Sequence, residues 1–144
     1  MGSEMCIRDS ANISASGMTA ERMRMETVAN NIANANSTRS ADGGPYRRKQ
    51  LVFSSLVDND ATGTSSFRGV QVVAKESDQS PFPELYSPGH PDADERGILQ
   101  MPNVQLPNEM VDLITASRSY EANLKALTSF KEMIEQTLTL LRVS

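Results

Sequence analysis

The chain has 144 residues and carries 14 Lys and Arg against 18 Asp and Glu, a formal charge of -4, which excludes the basic footprint of a nucleic-acid binder or of a protein drawn to an anionic membrane surface. Leu, Ile, Val and Phe supply only about a fifth of the residues, so a large self-sufficient core is out of reach and partners are expected to bury part of the surface. A single cysteine, Cys6, and a single histidine, His90, exclude a disulfide framework and a Cys-based or multi-histidine metal site, and no apolar run nears the roughly 18 residues of a membrane span.

Met1–Ser10 show no periodicity and match nothing that follows. They read as an expression or assembly scar, outside the fold, and they lack the charged start and apolar stretch of a secretory signal. From 11 to 36 the pattern is helical, with Ser10 as its expected cap. Ala11, Met18, Met25 and Ile32 fall seven apart, and Val28 and Ala35 add a second seam. That narrow stripe has the 3.5-residue period of a coiled-coil seam. Asn30, Asn31, Asn34 and Asn36 crowd the helix end. They either cap and fray that end or hydrogen-bond neighbouring helices and fix their register, as a buried coiled-coil Asn does. Asp42-Gly43-Gly44-Pro45 is turn chemistry.

Residues 37–107 read as a β-rich insert. Gln50–Val57 and Phe67–Lys75 are β-branched and aromatic with partial alternation, which predicts two strands joined as a long hairpin. The loop between them places Asp58, Asp60 and Gly63 at EF-hand positions one, three and six. Thr62 and Gly69 stand where a fifth-position ligand and a bidentate Glu are needed, so a solvated loop is expected. Six prolines from Pro81 to Pro107 then punctuate an extended stretch, with Ile98–Met101 as a short strand. Arg47-Arg48-Lys49 is too small for nucleic acid and is expected to pair with acidic residues of a neighbouring subunit. His90 and the acids Asp92, Asp94 and Glu95 are expected in solvent.

Residues 108–144 carry the stronger helical signal, with Asn108 as its expected cap. One heptad row is Met110, Ser117, Leu124, Lys131 and Leu138; the other is Leu113, Tyr120, Leu127, Ile134 and Leu141. The fold class predicted is therefore mainly α with a small β insert. Long terminal helices, 11–36 packing with 108–144, form a coiled-coil stalk, and a short β-hairpin domain lies between them.

Several segments carry a family resemblance. ISASGMTAERMRMETVANNIANANS at Ile13–Ser37 resembles the amino-terminal motif of bacterial flagellar axial proteins. GGPYRRKQLVF at Gly43–Phe53, PDAD at Pro91–Asp94, MPNV at Met101–Val104, EMVD at Glu109–Asp112 and ASRSYEAN at Ala116–Asn123 are similar to the proximal rod protein of the C type. The family normally opens with a short apolar stretch, which Met1–Ser10 replaces. The resemblance implies a structural rod subunit in the drive shaft that crosses the periplasm. It implies exit through the flagellar type III exporter without a cleaved signal, and polymerisation into a helical assembly. Its neighbours would be other rod subunits and the basal-body rod adaptor protein.

The residues expected to meet other subunits are Met18, Met25, Val28, Asn30, Asn31, Ile32 and Asn34 on the first helix. On the second they are Met110, Leu113, Tyr120, Leu124, Leu127, Ile134 and Leu138. No catalytic, metal or cofactor residue is expected. An enzyme such as a wall hydrolase would need two convergent carboxylates, and Glu84, Glu95 and Glu109 lack a sizeable scaffold. The alternatives are another axial protein, of the distal rod or hook type, or a secreted coiled-coil adaptor.

Overall fold

A computed structural model describes residues 2–40, 43–59 and 65–143. The order is α1 (Gly2–Ala33), β1 (Lys49–Asn59), β2 (Ser65–Ser77), β3 (Glu84–Tyr86), β4 (Ile98–Gln100) and α2 (Leu106–Val143). The chain is mainly helical with a small β region between its helices. β1 pairs with β2, as the two alternating segments predict, and β3 pairs antiparallel with β4 through Glu84–Gln100, Leu85–Leu99 and Tyr86–Ile98. β3 has no sequence signal of its own: three exposed residues between Pro83 and Pro88 show no usable alternation. The EF-hand-like loop includes residues 60–64, which lie outside the described residues.

Both helix starts differ from expectation. α1 begins at Gly2, so Ser10 lies inside the helix and is not its N-cap. α2 begins at Leu106, with Pro107 in the first turn, where its missing N–H costs no helical bond. The Glu109 N–H bonds the Gln105 carbonyl at 3.1 Å, and the Asn108 amide donates to Gln105 Oε1 at 2.7 Å. Asn108 therefore sits within the first turn and is not the cap.

The chain forms two compact units. One comprises Met1–Met23, Phe53–Val73 and Ala116–Ser144; the other comprises Arg24–Val52 and Ala74–Thr115. The core is as lean as the composition requires. Among the described residues its buried apolar side chains are Ala20, Val28, Ala35, Leu99 and Ala116, and an equal number of polar ones are buried: Ser14, Thr27, Asn31, Asn103 and Glu109. A core with so little apolar area must satisfy its polar groups internally.

Candidate functional site

In the second unit, the end of α1, the turn before β1 and the first turn of α2 meet around a carboxylate. Among the described residues, Glu109 and Asn31 are the largest side chains removed completely from solvent. Arg48 Nε donates to Glu109 Oε1 at 2.6 Å, and Asn31 Nδ2 donates to Glu109 Oε2 at 2.9 Å. Arg48 Nη1 also lies 3.7 Å from Asp78 Oδ2, and Nη2 lies 3.6 Å from Asp112 Oδ2. Arg24 Nη2 reaches Asp112 Oδ1 at 3.4 Å. Glu109 and Asp112 share one face because they are three apart on a helix.

Asn31 uses every polar atom of its side chain. Its Nδ2 also donates to the Lys49 carbonyl at 2.8 Å, while its Oδ1 accepts from Lys49 N–H at 3.0 Å and Tyr46 Oη at 2.9 Å. Such a cluster answers the burial problem directly, since each buried polar atom has a partner. Burial lowers the Arg48 value, but the Glu109 hydrogen bond and the charges of Glu109, Asp78 and Asp112 outweigh that and hold the guanidinium above its ordinary value. Burial, and then the Glu109 charge, push the Tyr46 phenol above its ordinary value. The Ser80 hydroxyl and backbone N–H, helped by Arg48 and Arg47, hold Asp78 below the usual carboxylate range.

The first unit has its own contacts between elements. Ser16 Oγ donates to the Ile13 carbonyl at 2.7 Å and accepts from Val70 N–H at 3.1 Å, tying β2 to α1. Gly69, at φ 130°, lies so close that a Cβ there would overlap Ser16 Oγ. Gly17 faces Asn123, whose amide nitrogen would be 3.0 Å from an added Cβ. α1 and α2 thus approach each other within one chain at this point.

Three expectations are corrected by this geometry. Asn31 is committed within the chain and has no polar atom left for a neighbouring helix. Asn34 closes its own helix, with its side-chain nitrogen donating to the Asn30 carbonyl at 2.9 Å, which is the capping reading of the asparagine run. Arg48 pairs inside the chain, and Arg47 donates to the Asp78 carbonyl at 3.0 Å while its guanidinium lies 4.3 Å from the Phe82 ring centroid. Arg48 is thus committed to acids of its own chain. Asp92 is also engaged, accepting from Thr38 Oγ1 at 2.9 Å and lying 3.7 Å from Arg39. His90 is half-buried, with Nδ1 accepting from Asp92 N–H at 3.1 Å.

The remaining expected contact residues divide by exposure. Val28 is buried, and Met18, Met25, Ile32, Asn34, Leu113, Tyr120 and Leu127 are half-buried. Asn30, Met110, Leu124, Ile134 and Leu138 are exposed, and every residue from 131 to 140 is exposed. The buried row of α2 is Glu109 and Ala116, continued by the half-buried Asn123 and Phe130. Hydrophobic periodicity missed it because Glu109 and Asn123 are polar and Ala116 is small, which leaves Phe130 as its one large apolar member. Co-occurrence of motifs was the available signal. Asn31, Arg48, Asn103 and Glu109 come from the ANNIANANS, GGPYRRK, MPNV and EMVD segments, and Ser16, Gly17 and Asn123 from ISASG and ASRSYEAN.

Helices at both ends, joined by motif residues from distant parts of the chain and leaving an apolar row uncovered, define a structural subunit built to be packed against others. The family model described as Flagella basal body rod protein matches residues 12–39, and the one described as Flagellar basal body rod FlgEFG protein C-terminal matches residues 95–140. The flagellar basal-body rod protein FlgC of Borreliella burgdorferi is 40% identical, over 96% of this chain and 99% of its own length. FlgC of Aquifex aeolicus is 46% identical, over 92% and 96%, and FlgC of Escherichia coli O157:H7 is 42% identical, over 94% and 98%. The chain belongs to the flagellar basal-body rod protein family, in its FlgC branch.

Proposed function

We propose that this structural subunit of the flagellar basal-body rod polymerises through its terminal helices, which pair with those of neighbouring copies and other rod subunits in coiled-coil fashion. The domain plan follows from that reading. α1, whose part from residue 11 onward carries the family motif, and α2 form the axial helices, and the residues between them form the outer insert. The assembled shaft crosses the periplasm, rests on the basal-body rod adaptor at its base, and receives subunits from the type III exporter.

The carrying observation is that Met110, Leu124, Ile134 and Leu138, drawn from the two heptad rows of α2, are each at least two-fifths exposed. Apolar surface left in water at helical spacing is a binding surface. Contacts between unlike surfaces propagate as a helix rather than closing. The contacting residues on α1 are Met18, Met25 and Ile32, which packing within the chain leaves half-covered.

The test is the double substitution Ile134→Asp and Leu138→Asp. Both side chains are exposed, so the dilute chain should keep its melting midpoint, with a change within about 0.5 kcal/mol. Cells carrying it should be non-motile and yield basal bodies without complete rods. Normal motility with intact rods would exclude this face as the assembly surface.

A further inference from the structure

We infer that the side-chain amides of Asn31 and Asn103 act as inserted peptide units that fix where the β1–β2 ribbon begins, making both asparagines positioning residues for that ribbon. The ribbon's base is the pair Arg48 and Asp78, which flanks the two strands. In an antiparallel pair of this kind the two residues exchange both backbone bonds. Here one is present: Asp78 N–H donates to the Arg48 carbonyl at 2.8 Å. The other is replaced by a bridge. Arg48 N–H donates to Asn103 Oδ1 at 2.7 Å, and Asn103 Nδ2 donates onward to the Asp78 carbonyl at 3.2 Å and the Ser80 carbonyl at 3.4 Å. An amide wedged between the two backbones ends the ladder at that rung. Pro81 and Pro83, which have no N–H, prevent its resumption on the β2 side.

The next residue is held from the other edge. Consecutive N–H groups of an extended strand point to opposite edges, so Lys49 cannot share the partner of Arg48. Asn31 supplies what a third strand would, with Oδ1 accepting the Lys49 N–H and Nδ2 donating to the Lys49 carbonyl. That occupation also removes a free edge to which another chain could add. Only a primary amide can donate and accept in this way; Asp lacks the donor and Leu lacks both. Asn103 is 9% exposed and Asn31 is fully buried.

The test uses the labelled full-length chain. A scalar coupling across the hydrogen bond, from the Arg48 amide nitrogen to the Asn103 side-chain carbonyl carbon, should be measurable in the unsubstituted protein. In Asn103→Leu the Arg48 amide should exchange about tenfold faster relative to the Leu99 amide of β4, the factor expected for one lost hydrogen bond. Asn103→Asp, which retains the acceptor, should keep most of that protection. Absence of the coupling overturns the inference, even if the variants fail to fold. An Asn103→Leu chain in which Arg48 and Leu99 accelerate equally, or in which Arg48 is unchanged, overturns it as well.

Discussion

Glu109 shows how a single residue can hold distant parts of this chain together. Its two carboxylate oxygens face Arg48 and Asn31, 61 and 78 positions away. Removing one partner of a buried pair leaves the other charge without compensation, typically at about 3–5 kcal/mol. Arg48 would retain Asp78 and Asp112 at 3.7 and 3.6 Å, which places Glu109→Leu near the lower end, at about 3 kcal/mol. The expected outcome is a lower denaturant midpoint at unchanged slope. A loss below about 0.5 kcal/mol, the range of ordinary surface substitutions, would show that the cluster does not hold the fold. Sequence reading treated Glu109 as a carboxylate without a scaffold, because the residues that bury it become neighbours only in three dimensions.

At the scale of elements, the contact between α1 and β2 depends on the absence of a side chain at Gly69. Its φ of 130° disfavours any other residue, and a Cβ would meet Ser16. Gly69→Ala should therefore destabilise the chain by about 1–3 kcal/mol. Part of that loss is steric, so combining it with Ser16→Ala should cost less than the two separate changes together, a coupling readable in a double-mutant thermal melt. Strict additivity would assign the whole cost to the backbone. Periodicity revealed α1, α2, β1 and β2 because their apolar residues repeat. It gave no sign of β3, whose three residues are all exposed, or of helical structure before Ser10.

At the scale of the whole molecule, isolated helices are marginal in water and gain most of their stability from tertiary packing. The stretch 131–140 has none of that cover in the single chain. Its amides should exchange almost without protection in dilute solution and become protected in assembled rods, and the dilute chain should show less helix by circular dichroism than α1 and α2 together account for. Full protection of 131–140 in the dilute chain would contradict assembly-coupled ordering.

Sequence alone determined the two terminal helices, the alternating strands and the family, because each is written in local periodicity or in contiguous motifs. Its composition also required that the core be thin. Only the tertiary structure decided which faces are spent inside the chain. Asn31, Asn103 and Glu109 are polar, and nothing local distinguishes a buried polar residue from a solvated one. Their burial becomes affordable only when donors and acceptors far apart in the chain are brought within hydrogen-bond reach.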